Sequence, residues 1–370
     1  MKKAKGKTIS LRLSQQKADW FLLFLVLGLT GFGLVMVANA SVVEAYRDFS
    51  DKLYYFKLQL QWAGLGLLGF ILASFFDYKK LRHLASPLLI FALFSLGLVL
   101  LPGMGTKVMG AQRWLVLGAF RFQPAELAKM AFVLYLAAFM SQKKSLWPFL
   151  ILLSVLIGLI ILEPDLGTAV IIAATGLVDY FASGAPILWL AGLGIFGFLA
   201  GLGLIFSSAY RKERVLTFLN PTRDPLGASY HIRQILLALG SGGWLGLGLG
   251  QSRQKYEYLP AAATDSIFAI IAEELGFVGA SVLMLVFLLL IWRGFKIAKE
   301  APDKFGQLLA TGIIAWIGFQ ILINLSAIVA LVPLTGVPLP FISYGGSSLV
   351  LIMTASGILI NISKQRRVEK

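Results

Sequence analysis

The chain alternates between long, predominantly apolar stretches and short ones crowded with charge. The apolar runs cover residues 20–38, 58–76, 84–101, 125–140, 147–162, 166–182, 187–206, 266–292, 308–332 and 347–362. Each approaches the roughly 17 to 25 residues that a helix needs to cross a hydrocarbon core, with 147–162 marginal. Lipid offers no partner to open backbone groups, so the spans must be helices, and no run shows the alternating pattern of a barrel strand. The pattern predicts an all-α polytopic membrane protein of about ten transmembrane helices, forming a single membrane domain over residues 1–370.

Composition agrees: 58% of the 370 residues are hydrophobic and 14% are charged, with a mean hydropathy of +0.81. The charges sort by side. Lys2, Lys3, Lys5, Lys7, Arg12 and Lys17 crowd the tail 1–19. Lys79, Lys80, Arg82, Lys143, Lys144, Arg293, Lys296, Lys299 and Lys304 occupy loops on the same side, and Lys364, Arg366, Arg367 and Lys370 the tail 363–370. Positive loops mark the cytoplasmic face, so both termini are expected there, in a bacterial cytoplasmic membrane. The net charge of +15 is thus a topology signal, and no soluble domain exists to carry nucleic-acid binding. The first run is too long for a signal-peptide core and is expected to be retained. There is no cysteine, and His83 and His231 lie far apart. A thiolate or imidazole metal centre is therefore not expected, while a hard divalent cation such as Mg or Mn stays open.

Two outer loops run against the charge rule. Residues 207–265, between the seventh and eighth spans, form a long extracytoplasmic loop containing Arg211, Lys212, Arg214, Arg223, Arg233, Arg253 and Lys255, with an apolar patch at 232–239 that suits a short interfacial helix. Residues 102–123 contain Lys107, Arg113, Trp114 and Arg121. Such cations suit a lipid pyrophosphate or, equally, anionic phospholipid.

Four segments carry candidate chemistry. In QPAELAKMA, Glu126 and Lys129 share one helix face, either as a structural ion pair or as a pair lining a cavity. In LEPDLGTA, Asp165 stands ahead of the next helix as a capping carboxylate, beside Glu163. The glycine string 240–250 lacks phosphate-loop spacing and reads as flexible or closely packed chain. In YLPAAATDSIFAIIAEELGFVGA, Asp265 lies where the long loop enters the eighth span, and could be a helix-start carboxylate. Glu273 and Glu274 follow inside the apolar helix, pointing about 100° apart and so not expected to face one partner. Finally PLTGVPLPFISYGGSSL, with Ser343 and Tyr344, has too much proline and glycine for a continuous helix, and Asn324 before it needs a partner at membrane depth.

QPAELAK, EPDLGTA, GSGGWLGLGLGQSRQKYEYLP, TDSIFAIIAEELGFVG and TGVPLPFISYGGSS stand in the order typical of the SEDS family (FtsW, RodA, SpoVE). The chain resembles that family from about the third span to the tenth, nearer the FtsW branch than RodA. The resemblance implies a peptidoglycan glycosyltransferase that polymerises lipid II at the outer membrane face, the acceptor's 4-hydroxyl displacing undecaprenyl pyrophosphate with inversion. It assigns Asp265 as general base, Glu126 and Lys129 as a buried pair, and Arg113, Arg253 and Lys255 as candidates for the pyrophosphate. It implies no organic cofactor. The implied partners are a class B penicillin-binding transpeptidase and other divisome or elongasome proteins. One departure stands out: where the family commonly has PEAHTD, this chain has Ala261 and Ala263 in place of Glu and His. The rival class is a lipid II flippase, which should place its essential charges near the bilayer midplane; a scaffold without chemistry is a third reading.

Overall fold

A computed structural model describes residues 17–366 apart from 109–110, 118–119, 143–144, 221–223, 225–226 and 228. The tail before residue 17, Lys143, Lys144, Arg223 and residues 367–370, on which the charge asymmetry partly rests, lie outside the described residues. The helices are α1 (Trp20–Ala40), α2 (Val42–Phe49), α3 (Tyr54–Phe75), α4 (Tyr78–Leu100), α5 (Pro124–Met140), α6 (Leu146–Leu162), α7 (Leu166–Ala182), α8 (Ile187–Phe206), α9 (Ala209–Leu219), α10 (Tyr230–Gly242), α11 (Ile267–Lys299), α12 (Lys304–Ile328) and α13 (Gly346–Lys364). The three strands are β1 (Gly105–Val108), β2 (Ala111–Leu117) and β3 (Phe120–Phe122). Among the described residues seven helices are long and apolar enough to cross a membrane: α1, α3, α4, α8, α11, α12 and α13. The other expected spans, α5, α6 and α7, have 17 residues each, the short end of the spanning range. The chain is a polytopic helical membrane protein.

All ten apolar runs fall on helices, but the outer loops are more structured than expected. Residues 102–123 form an antiparallel sheet in the order β1-β2-β3, which departs from an all-α chain. Val116 and Phe122, in β2 and β3, are residue types that favour strands. The long loop holds two helices, α9 and α10, where one was expected. Pro333–Gly345 is irregular, as its prolines require, and yet Val337, Leu339, Phe341 and Ile342 are buried. Buried irregular chain must satisfy its carbonyls. Amides on α12 do this: Asn324 Nδ2 donates to Val337 O (2.8 Å) and Gln320 Nε2 to Pro338 O (3.1 Å).

The largest correction concerns the eighth span. α11 breaks at Gly276, whose φ is +67°, a left-handed conformation that glycine adopts without penalty. A break inside an apolar helix leaves backbone groups open, and the glycine string closes them. Leu247 N donates to Glu273 O (3.0 Å), Gly248 N to Glu274 O (3.0 Å), Phe277 N to Gly243 O (2.8 Å) and Val278 N to Trp244 O (3.1 Å). So close an approach excludes side chains, since a Cβ on Gly246 would fall 2.1 Å from Glu274 O. The string is therefore packed chain.

The break falls one hydrocarbon thickness along α11 from its contact with the start of α1. Arg293 Nε meets Asp19 Oδ2 (2.8 Å) at one end of α1, and Asn39 Nδ2 donates to Glu274 Oε2 at the other. Those contacts are 20 residues apart along α1 (39 − 19) and 19 along α11 (293 − 274), or about 30 Å of helix and one hydrocarbon thickness. Residues 265–275 thus lie beyond a stretch of α11 that is by itself long enough to span, where the apolar run suggested one continuous span.

Candidate active site at the outer membrane face

Asp265 is half-buried and opens onto a cavity of about 330 Å³ formed with Glu213, Arg214, Phe218, His231 and Leu334. Its backbone is clamped. Asn324 Nδ2 donates to Asp265 O (2.9 Å), Ser343 Oγ to Thr264 O, and Tyr344 N to Ala263 O (2.8 Å). Ser343 and Tyr344 therefore act here by fixing the approach to Asp265. Its carboxylate accepts from Thr264 Oγ1 (3.0 Å), and it faces Gly336, where a Cβ would stand 3.8 Å from Oδ2. Asp265 does not cap α11: the cap position belongs to Ser266, so the helix-start reading fails on geometry.

The cavity's other ionisable groups come from α9 and α10. Arg214 is oriented by donating to Leu334 O (2.7 Å). His231 Nε2 pairs with Ser266 Oγ (2.8 Å). Burial pushes its imidazole below the ordinary value; the Asp265 charge opposes the fall and Arg214 adds to it. Sequence reasoning assigned neither residue to the site. Both sat in plain view, Arg214 as one of seven loop cations and His231 as an isolated histidine, and only the folding of α9 and α10 onto α11 sets them beside Asp265.

The other candidate cations go elsewhere. Lys255 is buried, donating to Asn39 Oδ1 (2.8 Å) and Gly250 O (2.5 Å) and lying 3.5 Å from Glu274. Arg253 is exposed and absent from the cavity lining. Arg113, on β2, donates Nε to Glu163 O (2.9 Å) and also to Pro164 O, with Asp165 at 4.0 Å. Glu273 and Glu274 do face one partner, contrary to expectation. The partner is a loop that curls round the helix, so two directions 100° apart can both meet it. Ser252 N donates to Glu274 (3.1 Å) while its Oγ donates to Glu273, and Gly250 N (3.0 Å) and Arg253 N (3.2 Å) complete the set. These carboxylates build the loop.

Glu126 and Lys129 form a buried pair at 2.7 Å, with Lys129 Nζ also donating to Gln320 Oε1 (2.7 Å), which accepts from Trp316 Nε1 (3.0 Å). Gln320 in turn holds Pro338 O, so the pair supports the irregular loop facing Asp265. Asp165 caps α7, accepting from Thr168 N (3.1 Å) and Thr168 Oγ1 (2.9 Å). Among the described residues no three His, Cys, Asp or Glu side chains converge as metal ligands.

Glu163 is buried with neither carboxyl oxygen hydrogen-bonded among the described residues. Burial, reinforced by the Asp165 charge and opposed by Arg113, pushes it up to about 8. Its folded value is raised, so burial weakens the fold as pH climbs from about 4.5, its ordinary value, towards 8. Below that window both states are protonated. Glu163→Gln should therefore melt several degrees above wild type at about pH 8.5 and at the same temperature near pH 4.5, a few kcal/mol in the alkaline case. Equal melting differences at both pH values would contradict a buried protonated carboxyl.

The FtsW/RodA/SpoVE family, described as cell cycle protein, matches residues 20–368. Stage V sporulation protein E of Bacillus subtilis (strain 168) is 42% identical over 357 residues, covering 94% of this chain and 98% of its own. A probable peptidoglycan glycosyltransferase FtsW of Trichlorobacter lovleyi is 41% identical over 353 residues, covering 93% of each. Among solved structures, a chain from a peptidoglycan synthase complex that coordinates polymerization and crosslinking aligns with a TM-score of 0.78 at 32% identity, covering 95% of this chain and 99% of the other. The rod shape determining protein RodA of Thermus thermophilus aligns with a TM-score of 0.70 at 30% identity, covering 95% and 98%. The chain belongs to the FtsW/RodA/SpoVE family of cell cycle proteins.

Proposed function

We infer that this chain is a peptidoglycan glycosyltransferase in which Asp265 is the general base, acting at the outer membrane face in cell division or cell-shape maintenance. The observation that carries the reading is a carboxylate with a clamped backbone, Asp265, opening with Glu213 onto a cavity that also holds the cation Arg214. A lipid-linked sugar fits that placement, because its polyprenyl tail stays in lipid while its sugar and pyrophosphate reach the cavity. Asp265 accepts the proton of the acceptor's 4-hydroxyl as the oxygen attacks the donor's anomeric carbon. The bond to pyrophosphate breaks on the opposite face, and the leaving group departs as an anion. Arg214 is the cation placed to stabilise that charge, the role expected of Arg113, Arg253 and Lys255. A divalent cation, where the reaction uses one, would offset the charge of the pyrophosphate. The substrate is lipid II, and both termini lie in the cytoplasm, supported by the positive loops of that face. A lipid II analogue with a blocked 4-hydroxyl tests the direction of attack. By itself it should give no product, because no acceptor hydroxyl remains, and mixed with lipid II it should appear only at the non-reducing end of strands; polymer formed from the analogue alone would overturn the assignment.

The flippase reading asks for working charges at the midplane. The buried pair Glu126 and Lys129 is instead closed on itself and Gln320, and Asp265 lies beyond the stretch of α11 that is long enough to span.

Polymerised strands need cross-linking, and among the described residues no soluble domain could supply it. The partner is a class B penicillin-binding transpeptidase, alongside other divisome or elongasome proteins; the solved relative from a synthase complex supports this. The partner encoded in the same genome should co-purify with this chain and change its polymerase rate. No binding together with an unchanged rate would remove it from the account.

A further inference from the structure

His231 is the second ionisable group held against Asp265, and the reaction as drawn gives it no task. It comes from α10, a helix that buries Ile232, Ile235 and Ala238 against α11. That packing fixes the ring's position independently of its polar contacts. Nε2 is used by Ser266 Oγ at 2.8 Å, and Ser266 is the residue directly after Asp265. The ring, whose second nitrogen is Nδ1, lines the cavity together with Asp265, Arg214 and Glu213. Ala261 and Ala263, the neighbours of Asp265 in the chain, bring no ionisable side chain of their own.

We propose that His231 is a positioning residue for glycosyl transfer: as a neutral imidazole it holds Ser266 and a sugar hydroxyl in the Asp265 cavity, and its protonation inactivates the site. The proposal rests on Asp265 being the base. The neutral ring has one donor and one acceptor, so the tautomer that accepts from Ser266 Oγ at Nε2 presents an Nδ1–H donor to substrate. Protonation converts Nε2 to a donor, which forces the serine hydroxyl to turn away. It also sets a cation against Asp265, which favours the ionised carboxylate and weakens it as a base. The charged groups facing the ring are Asp265 from the α11 lead-in and Arg214 and Glu213 from α9. Burial and Arg214 keep the ring neutral at neutral pH, outweighing the pull of Asp265.

The test is the pH profile of kcat/KM for polymerisation by the full-length protein in wild type, His231→Gln and Asp265→Asn. Wild type should lose activity on the acid side through two ionisations. His231→Gln keeps an amide that can bond Ser266 but cannot titrate. It should retain activity within roughly tenfold of wild type, the worth of one hydrogen bond, and its acid limb should shift to lower pH with a single ionisation. Asp265→Asn should be nearly inactive at every pH. A His231→Gln profile parallel to wild type, whatever its height, would overturn the proposal, because a purely structural histidine changes the rate without moving the limb. An active Asp265→Asn would instead overturn the base assignment and leave the His231 profile to be judged by itself. His231→Ala, which loses both contacts, should fall below His231→Gln; equal rates would also count against the proposal.

Discussion

Asp265→Asn should slow glycan polymerisation by roughly 10²- to 10⁴-fold, the range that general-base removal gives, with expression and lipid II binding retained. The substitution keeps the side chain's size and its ability to accept from Thr264 Oγ1. The clamp through Asn324, Ser343 and Tyr344 grips backbone, not the carboxylate, so the fold has no reason to change. What is lost is the basicity that takes the acceptor's proton. A near wild-type rate would make Asp265 a structural residue. The search would then move to Glu213 in the same cavity, because Asp165 is committed to capping α7, and Glu273 and Glu274 to the loop at 250–254.

The buried pair yields the second large effect. Glu126→Ala and Lys129→Ala each leave an uncompensated charge in a dry setting, a loss on the order of 3 kcal/mol. Lys129→Ala also removes a hydrogen bond to Gln320, the side chain that supports Pro338. Each single variant should therefore lower both the melting temperature and the polymerisation rate, because the loop facing Asp265 loses its support. The double variant should be clearly less harmful than the sum, since it strands no charge. Additive losses would show that the two side chains do not act as a pair.

The spans were legible because lipid imposes a simple rule, apolar and helical for about 17 residues or more, and every run lies on a helix. Asp165 as a cap and Glu126–Lys129 as a pair were legible because both interactions close within one turn. What could not be read depends on chain segments distant in sequence. The fate of Lys255 depends on Asn39, 216 positions away. The shared role of Glu273 and Glu274 depends on a loop that wraps the helix, and the break at Gly276 on a glycine string supplying the missing backbone partners. A strongly apolar sequence also conceals where the membrane ends, since Ile267–Leu275 is apolar for burial in protein. That is why residues 266–275 read as part of one continuous span, and why Arg214 and His231 were not assigned to the site.

The central claim is that this chain joins lipid-linked sugars at the membrane surface. Purified protein incubated with lipid II, its products resolved on a gel with and without the transpeptidase partner, tests this most directly. The account predicts a ladder of glycan strands that vanishes in Asp265→Asn and changes in amount when the partner is added. Unpolymerised lipid II after long incubation with the partner, combined with lipid II crossing the bilayer of vesicles containing the same protein, would contradict it and establish a transporter.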